Sequence, residues 1–147
     1  MVGLSEGLGA ELKKDNIHVT TVIPNLMRTG SPRNITLKGD HEAEYAWFKT
    51  SASSPLLSQP AEDAAREIVS GLQNGARNVT LTLTAKVAIA IHGIMPGAVD
   101  TMMEFANRFL PESDNREEKS GHESESDQSH GAIADMSDEA AFKLNEY

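Results

Sequence analysis

Histidines, acidic residues and one loop arginine are the side chains of this sequence that could do chemistry. His18, His41 and His92 share no metal-ligand spacing with one another or with the acids, whereas zinc ligands recur at short fixed spacings. The chain has no cysteine, which excludes a thiolate metal site and a disulfide framework. Arg28 follows an apolar run and carries the guanidinium that clamps phosphate or carboxylate, with a solvated loop arginine as the alternative. What these groups can do depends on the elements that position them.

The first thirty residues indicate a helix, a buried strand and a proline-led exit, in that order. Leu4, Leu8 and Leu12 recur every four residues and share one face of a helix over residues 2–14. The β-branched run Ile17–Ile23 lacks strict alternation, which is typical of a strand covered on both faces in a parallel sheet. Pro24 ends this strand because proline cannot donate to the ladder.

Three glycines in the first helix, Gly3, Gly7 and Gly9, predict a close neighbour. Each costs ~1 kcal/mol relative to alanine in a helix interior. Such glycines are tolerated where another backbone must come close. We therefore expect this helix to pack tightly on a sheet or on a partner subunit.

The remainder of residues 30–111 predicts a long insertion followed by helix, strand and two more helices. Residues 30–58 lack sustained periodicity, which is typical of a binding loop or lid. A helix begins near Pro60, and Val79–Leu83 alternates as a strand. Helices are predicted over Ala85–Met95 and Ala98–Leu110, separated by Pro96-Gly97. With only two convincing strands, one of them parallel in type, an exposed apolar sheet edge is expected.

The net charge of −9 lies almost entirely in the C-terminal tail. Residues 1–111 hold 10 Lys or Arg against 11 Asp or Glu, whereas residues 112–147 hold 3 against 11. Residues 112–131 predict a disordered acidic linker, and residues 132–147 a short terminal helix or a disordered end. His122 and His130 lie in this acidic region, where weak adventitious metal binding is the most that the composition supports.

The same composition disfavours several classes of partner and location. Phosphate binding by a nucleic-acid protein needs a basic patch, and none is visible in the sequence. A membrane-surface role is disfavoured on the same grounds, and the longest apolar run is far shorter than the ~20 residues of a membrane span. No signal peptide is recognisable. We therefore expect a cytoplasmic protein that binds neither nucleic acid nor membrane.

The order helix, buried strand and Pro-led loop resembles the second half of a short-chain dehydrogenase/reductase. The likeness covers residues 1 to about 111 and is strongest over residues 2–30. It implies an α/β fold that is the C-terminal part of a Rossmann-like doubly wound parallel sheet, with two strands and four or five helices. In that family the strand ends in a Pro-Gly-x-Val-x-Thr loop that contacts nicotinamide. Pro24, Met27 and Thr29 match this cofactor-binding loop, while Asn25 stands where the family has glycine.

The family's catalytic and phosphate-binding groups have no counterpart in this sequence. The resemblance implies a Tyr-x-x-x-Lys pair before the first helix and a Gly-rich strand-to-helix turn, and neither is found. Tyr45 precedes Lys49 by four residues, but this pair follows the Pro24 loop, so we interpret its spacing as coincidence. The resemblance also suggests a substrate lid in which Tyr45, Trp47 and Phe48 wall an apolar pocket. The alternative is an amphipathic helix packing on its own domain.

These observations predict a truncated short-chain dehydrogenase/reductase with no catalytic residue of its own. The parent activity is NAD(P)-dependent interconversion of a small apolar alcohol and its ketone. NAD or NADP is expected in the complete protein and neither on this chain alone. Either Met1 is a misplaced or secondary start, or the gene is truly truncated. The alternative function is a non-catalytic interaction module that pairs with a full-length relative, as a homo- or hetero-oligomer of dehydrogenase-like subunits.

Overall fold

A computed structural model describes residues 1–110, 113 and 115–146. Six α-helices and six short strands occur within these residues. In chain order they are α1 Val2–Leu12, β1 Thr21–Ile23, β2 Leu26–Arg28, β3 Thr36–Lys38, α2 His41–Ser53, β4 Ser58–Pro60, α3 Ala61–Gln73, β5 Asn78–Thr80, α4 Leu83–Ile94, α5 Pro96–Asn107, β6 Glu118–Ser120 and α6 Asp135–Lys143. Three separate strand pairs form: β1 with β5 and β2 with β4, both parallel, and β3 with β6, antiparallel.

The parallel β1–β5 pair carries the apolar core. Val22 lies opposite Val79 in the register, and the buried cluster consists of Ala64, Val79 and Leu81. Helix α3 approaches β5 so closely that a Cβ on Gly71 would clash with Val79 Cγ2. Glycine at this position therefore allows α3 to cover the sheet.

A second region is organised around helix α2. Its N-terminus is capped by Asp40, whose side chain accepts a hydrogen bond from the Ala43 N–H. Its inner face buries Tyr45, Lys49, Ala52 and Ser53. The β3–β6 pair, the 3-10 helices His122–Ser124 and Asp127–Ser129, and α6 pack around this helix. Residues from the acidic tail therefore form a large part of the wall around α2, together with β2, β3 and β4.

The predicted helices are confirmed with small changes in their bounds. Helices occur where the sequence predicted them in residues 2–14, after Pro60, over 85–95 and 98–110, and near the C-terminus. The predicted strands are shorter than expected, because Ile17–Thr20 is not in a strand and β5 spans only Asn78–Thr80. β1 and β5 do pair in parallel. The shown fold is thus α/β with small parallel and antiparallel strand pairs.

The predicted disorder of residues 112–131 is not confirmed. Within this range, residues 118–120 form β6, and two 3-10 helices follow. Ser124 and Ser129 are fully buried, and their hydroxyls donate to Ser120 O at 2.8 Å and Ser126 O at 2.7 Å. The prediction from composition did not anticipate this structure, because hydrogen bonds and ion pairs stabilise it rather than the burial of apolar residues. Glu112 and Asp114 lie outside the described residues.

Helices α1, α4 and α5 contrast with α2. Within the described structure none of these three helices has a buried residue. Their exposed apolar side chains include Leu4, Leu8, Ile91, Ile94, Met103 and Phe105. Among the described helices, none combines the length and the apolar character that crossing a bilayer requires.

Candidate cofactor loop and buried lysine cluster

The candidate cofactor loop, residues 24–30, begins at the carboxyl end of β1. Pro24 is exposed and directly follows the last residue of β1. The Asn25 amide donates to Thr82 Oγ1 at 2.8 Å and to Leu57 O at 3.3 Å. Thr82 has a positive φ of 66° and caps α4 directly after β5. Asn25 therefore ties the exits of the two parallel strands together.

Met27 lies inside β2 and not in an open loop. Its register partner is Gln59 in β4, and its side chain packs against the cluster of Ala64, Val79 and Leu81. The sequence did not indicate β2, because three residues paired with a strand more than thirty positions away leave no periodic pattern. In this chain, Met27 contributes to the core and to a strand ladder.

Thr29 and Gly30 have their polar groups engaged within the chain. The Thr29 hydroxyl donates to Ser31 Oγ at 2.8 Å and accepts from the Ser31 N–H at 3.2 Å. The Gly30 N–H donates to Glu146 Oε2 at 2.5 Å. A Cβ on Gly30 would lie 2.8 Å from Glu146 Cβ. The segment that follows α6 therefore closes the far end of the loop.

Arg28 is neither a free clamp nor a fully solvated arginine. Its Nη1 lies 3.4 Å from both Ser58 O and Ser58 Oγ and donates to them. Its side chain also lines a small cavity of about 70 Å³ with Pro60, Glu62 and Lys143. The Lys143 ammonium pairs there with Glu62 at 2.7 Å.

The predicted lid aromatics lie on one helix but in three environments. Tyr45 is fully buried, Phe48 is half-buried and Trp47 is exposed. The Tyr45 ring lies against the tail, since a Cβ on Gly121 would be 2.9 Å from its Cε2. Tyr45 therefore packs against the chain's own tail, which is the alternative to lining a substrate pocket.

The buried lysine cluster, formed by Lys49, Glu125 and Asp138, is the most polar feature of the interior. The Lys49 side chain is 1% exposed, and its Nζ lies 2.8 Å from Asp138 Oδ2 and 3.4 Å from Glu125 Oε1. Arg33 Nη1 reaches Glu125 Oε2 at 3.8 Å. Two cations thus face two carboxylates, which balances the charge around the buried Lys49, while the carboxylates stay partly exposed.

Electrostatics in this cluster favour the charged lysine and the neutral tyrosine. Burial opposes the charge on Lys49, but the hydrogen bond to Asp138 and the nearby carboxylates outweigh it and raise the Lys49 pKa. Burial raises the pKa of the Tyr45 hydroxyl despite the opposing charge of Lys49. The Lys49 ammonium lies 5.7 Å from the Tyr45 ring centroid, within cation–π range. Tyr45 Oη has no hydrogen-bond partner among the described residues.

Glu125, His130 and Asp138 offer ligand atoms that all lie within 4.8 Å of one another. One imidazole and two carboxylates would suit a divalent cation. Lys49 already places an ammonium against both carboxylates. A metal ion would have to displace this internal cation, so the donor set favours an ion-pair network over a metal centre.

Comparison with models of protein families, with curated proteins and with solved structures finds no match to this chain. Functional proposals for this protein therefore rest on the residues and contacts described above.

Proposed function

We propose that this chain is the C-terminal portion of a short-chain dehydrogenase/reductase, inactive by itself. The parent activity is NAD(P)-dependent oxidation of a small apolar alcohol or reduction of its ketone. The observation that carries this proposal is the parallel β1–β5 pair, entered from α1 and left through residues 24–30. Ligands of open parallel sheets bind outside the carboxyl ends of the strands, which is where this loop lies.

The open side of β1 supports the proposal. Within residues 1–110, 113 and 115–146, β5 is the only strand paired with β1, although parallel strands are normally flanked and covered. Helix α1 has no buried residue, and a Cβ on Gly3 or Gly7 would meet no described atom within 4 Å. Further polypeptide could pair with the open side of β1 and cover the exposed face of α1.

One contact in the loop suits the proposed cofactor role, and two others oppose it. The Asn25 amide is tied to Thr82 and Leu57, which fixes the side chain that replaces the family's glycine. The Thr29 hydroxyl and the Gly30 N–H are already engaged by Ser31 and Glu146. Nicotinamide would supply the hydride chemistry when bound, and Thr29 would hold its carboxamide only after exchanging its bond to Ser31. These engaged groups are consistent with an inactive isolated chain.

An interaction module that pairs with a full-length relative is the second candidate. The exposed apolar side chains of α4 and α5, including Ile94, Met103 and Phe105, favour it. Uncovered apolar surface of this extent commonly marks a protein interface. Under this alternative the chain binds a dehydrogenase-like subunit and contributes no catalytic group.

One experiment distinguishes the two candidates. The endogenous protein is captured from its own cells with an antibody against residues 115–131, and then its intact mass and its NAD- and NADP-dependent alcohol oxidation are measured. A polypeptide well above 15.9 kDa with activity supports the dehydrogenase. A 15.9 kDa chain co-purifying with a separate dehydrogenase subunit supports the interaction module. A chain of that mass with neither partner nor activity contradicts both.

A further inference from the structure

A cavity of about 430 Å³ lies beside α1, at the amino-terminal ends of β1 and β5. The candidate cofactor loop leaves the opposite, carboxyl end of β1. This cavity is therefore separate from the proposed nicotinamide site. Its polar lining comes from Ser5, Glu6, Lys13, His18, Thr21, Arg77 and Asn78.

Three basic side chains line this cavity against a single carboxylate. Lys13, His18 and Arg77 make no side-chain ion pair or hydrogen bond with any described residue, and Glu6 is the only acid in the lining. These side chains belong to residues 1–111, which hold 10 Lys or Arg against 11 Asp or Glu and so carry little of the net charge of −9. Local positive potential of this kind attracts an anion even to an acidic protein.

In each of the other two cavities described in this structure the lining lysine has a carboxylate partner, whereas the lining arginine, Arg28 or Arg116, forms no ion pair with a described residue. In the cavity beside α6, Lys143 pairs with Glu62 at 2.7 Å. In the cavity at Lys38 and Gly39, the Lys38 ammonium pairs with Glu118 at 3.3 Å. Only beside α1 do lining lysine and arginine side chains both lack such a counter-ion among the described residues. Lys13 and Arg77 are therefore both available to bind an anion in this cavity.

We propose that this cavity binds a phosphorylated small molecule that also carries a hydroxyl group. A guanidinium donates two parallel hydrogen bonds to a phosphate, and an ammonium adds a point charge, so Arg77 and Lys13 hold the phosphate. The Asn78 amide is a further free donor within the lining. Glu6 accepts from the hydroxyl of the same ligand. The volume lies within the range of small-molecule sites.

The test is a titration of the isotope-labelled 147-residue chain, followed by the amide resonances of Lys13, His18 and Arg77. The probes are inorganic phosphate and glycerol 3-phosphate, with glycerol as the uncharged control. We expect saturable shifts with both phosphates, tighter binding of glycerol 3-phosphate, and none with glycerol. Glu6→Gln is expected to remove the advantage of glycerol 3-phosphate over phosphate while leaving phosphate binding intact.

Matched variants separate a defined site from general electrostatics. Arg77→Ala or Lys13→Ala each loses a charge-assisted bond and is expected to weaken binding by about tenfold or more. Lys14→Ala removes the same charge from the neighbouring position, which does not line the cavity, and is expected to leave the affinity nearly unchanged. All three residues are exposed, and circular dichroism verifies that each variant is folded.

Two results would overturn the proposal. One is a linear, non-saturating response of the wild-type chain to both phosphates. The other is equal weakening by Arg77→Ala and Lys14→Ala, which would show that the anion responds to overall charge. Neither result bears on nicotinamide binding, because the cavity and residues 24–30 lie at opposite ends of β1.

Discussion

The α2–tail region and the α1–β1–β5 region differ in which side chains they bury and which they expose. Around α2 the interior combines apolar residues such as Tyr45 and Ala52 with a charged lysine and several serines, among them Ser124 and Ser129. Around β1 and β5 the interior is apolar but small, and the apolar residues of α1, α4 and α5 remain at the surface. Polar groups are inside the first region and apolar groups are outside the second.

The difference follows from which partners the chain itself supplies. The tail brings Glu125 and Asp138 to Lys49, and Ser137 to the Ser53 hydroxyl, so these polar groups are satisfied when buried. No described segment packs over the outer face of α1 around Gly3 and Gly7. The α2–tail region thus supplies partners for these polar groups itself, whereas the proposed function requires other polypeptide against the α1–β1–β5 region.

The largest effect on stability is expected from Lys49→Met. This change keeps the apolar stem but leaves Asp138 and Glu125 without their buried cation. Because those carboxylates remain 23% and 25% exposed, the loss should fall at the low end for broken buried pairs, about 3 kcal/mol. Chemical denaturation followed by circular dichroism measures it.

Lys38→Met is the matched control for the lysine prediction. The Lys38–Glu118 pair is 58% and 60% exposed, and such surface pairs contribute between about 0 and 1 kcal/mol. Equal losses for the two variants would show that the lysine cluster is not a closed, water-poor network.

Leu81→Ala should cost about 2–3 kcal/mol, since it removes a side chain that is 1% exposed from a small core able to relax partly. Ile94→Ala removes a comparable side chain that is 81% exposed and should change the unfolding free energy by less than about 0.5 kcal/mol. Thermal and urea unfolding of the free chain compare the two. A large loss for Ile94→Ala would mean that the face of α4 is covered in the isolated protein.

Alkaline pH should destabilise the α2–tail region specifically. The folded pKa values of Tyr45 and Lys49 are both raised above 10.0 and 10.5. Their contribution to stability is therefore fully present below those values and is lost as pH rises through the higher folded pKa values. Unfolding free energies measured from neutral to strongly alkaline pH should fall above about pH 10. Tyr45→Phe should reduce this fall, and an unchanged profile in that variant would contradict the assignment.

Gly7→Ala is expected to have a small effect on the free energy of unfolding, and to stabilise the free chain rather than destabilise it. A Cβ at this position meets no described atom within 4 Å, so the free chain should gain up to about 1 kcal/mol of helix stability. In the native assembly the same methyl group should weaken association if another backbone lies there. Equilibrium unfolding of the free chain and co-purification from cells measure the two effects, and association as strong as wild type would argue against a covered α1.

Local sequence patterns predicted the helices and strands of this fold better than the contacts between them. Leu4, Leu8 and Leu12 indicated α1 from spacing alone, and the two strand runs indicated β1 and β5 because each carries its own signal. Their parallel pairing was implied by the resemblance. The ion pairs of Lys49 join positions 76 and 89 residues apart, and no local pattern encodes such separations. The composition of the tail predicted disorder for the same reason. Serine and acidic residues become ordered through partners that lie far away in the sequence, and composition does not reveal those partners.

The candidate cofactor loop was only partly predictable. Pro24 and its exit from β1 follow from the rule that proline ends a ladder. The pairing of β2 with β4 left no local pattern in the sequence, and the contact of Gly30 with Glu146 depends on the tail, beyond residues 1–111. Met27 and Thr29 therefore remain predicted cofactor residues whose groups are engaged otherwise in this chain.

Hydrogen–deuterium exchange of the isolated chain, resolved by peptide, tests the contrast between the two regions most directly. Exchange protection follows the free energy of local opening, which is low where few apolar contacts hold an element. We expect strong protection for α2 and residues 118–143, and weak protection for α1, α4 and α5. In the native assembly, α1 and β1 should become protected as well. Equal protection of α1, α4 and α2 in the isolated chain would contradict the claim that the α1–β1–β5 region requires other polypeptide.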